Sequence, residues 1–224
     1  MQSRALMLPS SIISKKKGEE QGTDVPGPDA AARDAAASTP LRSRPIAFVL
    51  ALLLIAVVYL RWQGRVWWCQ CGEWYPISFH VNSQHNSQHL FDAYTLSHIL
   101  HGILFFGLLW LFRGRLSLGI RAATAAGIEI AWEMMENSPL IIGRYRDATI
   151  SLGYTGDSIA NSVGDIAGFV LGFYLTRKLG LWWSIAIFFT VELLMLWSIR
   201  DNLALNVLML LWPIDAIRRW QSGG

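Results

Sequence analysis

The sequence predicts an all-α fold: a polytopic bundle of five membrane-spanning helices with a short sixth helix at the C-terminus. Three observations carry this. The 224 residues are 53% hydrophobic and only 16% charged, far from the usage of a soluble domain. The charges concentrate in the first 44 residues and in short segments between apolar runs. The runs themselves, Pro45–Leu60, Ile99–Phe112, Leu118–Met135, Ile159–Leu175 and Leu181–Ile199, approach with their flanks the roughly 20 residues that cross a hydrocarbon core of about 30 Å as a helix. Five such runs in one small soluble fold would leave too little polar surface to cover them.

Taken in order, residues 1–44 read as a disordered cytoplasmic tail, because Lys15-Lys16-Lys17 leads into a stretch rich in Gly, Asp, Pro and Ala without apolar periodicity. The apolar pieces of Met1–Ser14 are too broken for a secretory signal. Residues 45–224 form one transmembrane domain with an outer loop at 61–92. Arg44, Arg61, Arg113, Arg115, Arg121, Arg177 and Lys178 sit at or near run ends, as do Trp62, Trp110, Trp182, Trp183, Trp197 and Trp212. Long cations and amphipathic rings settle at the headgroup level. The net charge of +3 and pI near 9.0 therefore belong to a membrane protein. A nucleic-acid partner is not expected, since no basic patch is interleaved with base-stacking aromatics.

Seven basic residues in the tail (Arg4, Lys15, Lys16, Lys17, Arg33, Arg42, Arg44) predict that the N-terminus faces the cytoplasm. After the fifth run, Arg200-Asp201-Asn202 forms a turn with a good N-cap residue. Leu203–Ile214 follows. It is short for a crossing, and is read as a sixth helix returning the C-terminus inside, ahead of a re-entrant or interfacial segment.

With this orientation the polar residues gather near the outer face. His98 and His101 start the second span; Glu133 and Glu136 end the third, with Glu129 nearer the middle. Asp157, Asn161 and Asp165 open the fourth. Spacings of i, i+3 for the histidines and i, i+4 or i+7 for the acids put each set on one helix face. Gly164, Gly168 and Gly172 continue the fourth-span face as a small-residue row for close helix packing. Buried charge is costly in a bilayer, so these groups are expected to pair or to line a wet cavity. Bland roles are available too: Asp157 as an N-cap, Arg144 and Arg146 as neutralising cations, His80 and His85 as solvated loop residues. Glu192, alone in the fifth span, is expected to find an arginine or the Glu129 face. All five histidines and both cysteines fall between residues 69 and 101. Such residues bind zinc and copper, but Cys69-x-Cys71 is not a zinc-knuckle spacing, and a tight disulfide or redox pair is an equal alternative.

The strings Trp68-Cys69-Gln70-Cys71-Gly72, Ser97-His98-x-x-His101-Gly102, Trp132-Glu133-x-x-Glu136-Asn137-Ser138-Pro139, Arg144-Tyr145-Arg146 and Tyr154-x-Gly156-Asp157-Ser158-x-x-Asn161-Ser162-x-x-Asp165 together resemble an uncharacterised family of bacterial multi-pass membrane proteins. The resemblance runs from about Trp67 to the C-terminus and implies an inner-membrane location without an activity. A weaker similarity is to the VanZ-like membrane proteins, with His98, Glu133, Arg146, Asp157 and Asn161 in the matching places. The Cys-x-Cys loop and the second histidine depart from that pattern.

The function these residues best suggest is a metal-assisted hydrolase or transferase acting on a lipid or envelope substrate at the periplasmic face. His98, His101, Asp157 and Asp165 would hold a divalent transition metal. Glu133 or Glu136 would act as general base, Arg146 would hold an anionic headgroup, and Asn161 completes the candidate set. The alternatives are a non-catalytic scaffold or assembly factor, and a proton-coupled transporter relaying through Glu129, Glu133, Asp165 and Glu192. No Walker loop, nucleophile elbow or dinucleotide fingerprint is present.

Overall fold

The computed structural model describes residues 43–149 and 153–223. The tail expected at 1–44 lies, up to residue 42, outside the described residues. The described chain is built from α1 (Ser43–Trp62), α2 (Thr95–Trp110), α3 (Leu118–Glu136), α4 (Pro139–Ala148), α5 (Ile159–Leu179), α6 (Leu181–Ile199), α7 (Leu203–Leu211) and α8 (Asp215–Gln221). Between α1 and α2, β1 (Ile77–Ser78) and β2 (Phe91–Asp92) make a two-residue parallel pair.

Local signals set the boundaries. The hydroxyls of Ser117, Ser138 and Ser158 each accept the amide three residues on, opening α3, α4 and α5. Pro139 takes the first position of α4, where its missing N–H costs nothing. The expected stop at Glu136-Asn137-Ser138-Pro139 thus both ends α3 and starts α4. Asp157 is not the cap of α5; Ser158 is, which releases the aspartate for other contacts.

The small-residue row explains the centre of the bundle. A Cβ on Gly172 would stand 2.0 Å from the Ile99 carbonyl oxygen, one on Gly164 1.8 Å from that of Leu90, and one on Gly102 2.1 Å from that of Phe169. Only glycine lets α2 and α5 lie this close, and they pack along their lengths. Apolar clusters fix the other helices on this pair: Leu109, Ala125, Ala126, Phe169 and Phe173 join α2, α3 and α5. Ala56, Ile130 and Ile166 bring in α1, and Leu100, Ile103 and Leu203 bring in α7.

Three described helices are long and apolar enough to cross a membrane: α1 from Arg44, α5 and α6. The five-run reading is narrowed here for two physical reasons. Helix α2 has only 16 residues, and α3 has 19 but carries Arg121, Glu129, Glu133 and Glu136. The best windows of α1 and α6 are 11% and 17% buried within the protein, against 61% for α5; α5 is the central helix, and the other two present apolar flanks outward.

The last segment differs from expectation. Helix α7 has 9 residues, about 14 Å at 1.5 Å per residue, half of a hydrocarbon core. The chain then doubles back. Gln221 Nε2 donates to Asp201 Oδ1 at 3.1 Å and Arg200 Nη1 donates to the Trp220 carbonyl at 3.1 Å. The end of α8 therefore lies beside the start of α7.

Candidate functional site

Helices α2, α3 and α5 bring their polar faces together. His98, 6% exposed, points Nδ1 at Glu129 Oε1, 2.6 Å away. His101, one turn on, places Nδ1 3.2 Å from both oxygens of the same carboxylate. Glu133 Oε1 is 3.3 Å from His98 Nδ1, but that nitrogen is directed at Glu129. Both Glu133 oxygens are thus left buried without a hydrogen-bond partner among the described residues, as are the amide oxygen and nitrogen of Asn161. Glu133 and Asn161 are each 0% exposed. Beneath them Asp165 Oδ2 stands 3.9 Å from His98 Nε2, and Asp165 Oδ1 accepts the Thr95 hydroxyl at 2.5 Å.

A second polar group closes the end of the bundle. Asp157 accepts from Tyr154 Oη at 2.8 Å and from Asn137 Nδ2 at 2.8 Å, while its own amide donates to Asn137 Oδ1 at 2.7 Å. Burial pushes the Asp157 carboxyl up to about 6, with the two donors pulling the other way. Asp92 is fully provided for: it accepts the amides of Ser87, Tyr94 and Thr95 and so also seats the start of α2. Between the two groups is a cavity of about 60 Å³ whose wall includes His98, His101, Glu136, Tyr154, Asp157 and Asp165. It has room for a few waters or an ion.

The matching family model covers residues 60–223 and is described as a protein of unknown function (DUF2585). The chain belongs to this family. Among curated relatives it is 49% identical over 181 residues to a UPF0314 protein of Paracoccus denitrificans, covering 81% of this chain and 94% of the relative. It is 46% identical over 183 residues to a UPF0314 protein of Sphingopyxis alaskensis, covering 80% and 94%. A UPF0314 protein of Agrobacterium fabrum is 47% identical over 171 residues, covering 76% and 86%. No solved structure matches. Residue 60 lies in the last turn of α1, so the family match takes in the whole polar region and every helix after the first.

For this DUF2585 chain, the candidate residues read from sequence fall into three groups. His98, His101, Glu136, Asp157 and Asp165 share the cavity wall, and Glu133 lies against His98. The ligand grouping differs, however: both imidazoles turn to Glu129 instead of Asp157, which is engaged by Tyr154 and Asn137. Asn161 is buried but does not reach the cavity wall, and neither does Arg146. Arg146 Nε donates to the Tyr154 carbonyl at 2.5 Å and Arg144 Nε to that of Leu210 at 2.8 Å, so these bonds hold segments together without neutralising acids. Glu192 meets neither an arginine nor Glu129; its oxygens accept the Leu203 and Ala204 amides at 2.9 and 3.2 Å, at the start of α7. His80 is exposed, whereas His85 is turned toward Tyr75 and Cys69. Sequence reasoning missed Glu129 as the shared partner and Asn137 as the bridge, although Glu129 was on the acidic face of α3.

Proposed function

We propose that this protein is a multi-pass inner-membrane enzyme, a metal-assisted hydrolase or transferase acting on an anionic lipid or cell-envelope substrate from the periplasmic side. Helices α1, α2, α3, α5 and α6 cross the bilayer, the N-terminus faces the cytoplasm, and the cavity opens toward the outer face. The observation that carries the reading is the Glu133 carboxylate, 0% exposed and without a hydrogen-bond partner among the described residues, beside a histidine pair that shares one glutamate. Such buried oxygens are expensive without a proton, cation or substrate to meet them. His98, His101 and Glu129 form a mixed nitrogen and oxygen donor set within 4.8 Å of one another, the chemistry of zinc, iron or manganese. A cation there would replace the protons that join the imidazoles to Glu129. Glu133 and Glu136, on the following turns of α3, supply the general base, and exposed Arg146 meets the anionic headgroup.

The test is metal content of the purified full-length protein by mass spectrometry, wild type against the H98A/H101A double variant. The reading expects one divalent-metal equivalent lost in the variant. It also expects wild-type proteoliposomes made with native lipid extract to turn over a lipid species that E133Q leaves intact. Equal metal in both proteins would overturn the metal assignment. Unchanged lipids, with E133Q merely unfolding, would instead favour a scaffold.

A further inference from the structure

The loop between α1 and α2 holds a cluster that the reading above does not use. Cys69, Cys71, His85 and His89 each offer one ligand atom, and the four atoms lie within 4.8 Å of one another. Cys69 Sγ is 3.5 Å from His85 Nδ1, Cys71 Sγ is 3.9 Å from His89 Nε2, and the two imidazole nitrogens are 3.3 Å apart. Metal bonds of about 2.3 Å to sulfur and 2.0–2.1 Å to nitrogen at tetrahedral angles require separations of roughly 3.6 Å for S···N and 3.3 Å for N···N. The three separations above match these to within a few tenths of an ångström. We propose that these four residues bind one structural zinc ion.

The surroundings fit a closed site. His89 Nδ1 donates to the Tyr75 carbonyl at 2.7 Å, which fixes the tautomer and leaves Nε2 as a lone-pair donor facing Cys71. The Tyr75 ring stacks on His89 with centroids 4.2 Å apart, and Trp68 meets its edge at 5.7 Å. His89 is 0% exposed, so one face of the site is dry. All four ligands come from protein, leaving no open position for chemistry; this is the signature of a structural ion.

The ion would stiffen the segment that completes the cavity. Between the histidine ligands, Ser87 takes a φ of +56°, a conformation that a serine adopts only when its neighbours enforce it. The Ser87 carbonyl accepts the Ser158 amide at 2.9 Å, the Gln88 carbonyl accepts the Ser158 hydroxyl at 3.0 Å, and Gln88 Nε2 donates to the Gly156 carbonyl at 2.8 Å. Asn86 and Ser87 form part of the cavity wall with His98 and Asp157. Zinc at the cysteines thus holds the loop onto the start of α5.

The inference does not depend on a metal at His98, and its test separates the two. Full-length protein purified without reductant is assayed for zinc, and metal-free protein is titrated with cobalt(II). The site predicts a near-ultraviolet thiolate-to-cobalt charge-transfer band with strong tetrahedral visible bands, and zinc that shields both thiols from alkylation. C69S/C71S should lose one zinc equivalent and the band, whereas H98A/H101A should keep both. A Cys69–Cys71 disulfide in the non-reduced peptide map, or a cobalt complex without sulfur absorption, would overturn the assignment; so would unchanged zinc content in C69S/C71S.

Discussion

Asn137 ties the end of α3 to the segment ahead of α5. Its amide nitrogen donates to Asp157 and to the Glu133 carbonyl at 3.1 Å, and its oxygen accepts the Asp157 amide. Asn137→Ala leaves a buried carboxylate and a buried amide short of partners, a loss of about 2–4 kcal/mol, to be read as lower thermal stability in detergent. Asp201 gives a pH-dependent signature. Burial pushes its carboxyl from 3.8 to about 6 despite the Asn202 amide and the Tyr94 and Gln221 side chains. The native state therefore binds more protons than the unfolded chain between these values, and stability falls as pH rises through that window. Denaturation profiles should slope downward there for wild type and less steeply for Asp201→Asn, the remainder coming from groups such as Asp157 that share the window. At this scale the sequence was half informative. Helical spacing placed Glu129, Glu133 and Glu136 on one face, but spacing cannot say which imidazole a given acid meets, because that depends on the rotation of α2 about its own axis. Asp157 was legible as a polar residue at the head of α5, yet its serine neighbour had equal claim to the cap and took it.

Among the elements, the glycine row of α5 was readable from sequence as a close-packing face, although its partner α2 was not, and this pairing is the most sensitive to change. Gly164→Ala would drive a methyl into the Leu90 carbonyl, so it should unseat the loop and lower stability. Gly107→Ala, on the same helix pair but with nothing within 4 Å of its added Cβ, should be tolerated. Thermal melts of the two variants in one detergent check the contrast. The start of α7 depends on an interaction that no local pattern announces. Glu192 stands 11 residues before Leu203 and caps it from another helix. Glu192→Ala should cost about 1–2 kcal/mol, as lost caps do, and Glu192→Gln less, since it keeps an acceptor oxygen; the order of melting temperatures reads this out. A proton relay through Glu192 would predict loss of transport in both variants with unchanged stability.

For the molecule as a whole, length and hydropathy exposed the helical bundle, and three helices meet the length and apolarity of a membrane span. Helix α3 falls outside that measure because it carries Arg121, Glu129, Glu133 and Glu136, and a hydropathy count cannot see that Glu129 turns inward to the two imidazoles of α2. The C-terminal segment carries a contact that no local pattern announces: the bonds from Arg200 and Asp201 to the end of α8 fold the last segment back on itself. A cysteine introduced at Ser222 should therefore share the membrane side of one at Arg200, which impermeant thiol labelling of cells decides. The central claim is that the imidazoles of α2 and Glu129 of α3 hold a cation. X-ray absorption on the metal retained by purified C69S/C71S protein tests it most directly. The account predicts a shell of nitrogen and oxygen at about 2.0–2.2 Å containing two imidazoles; a variant that retains no metal, or metal without imidazole scattering, would contradict it.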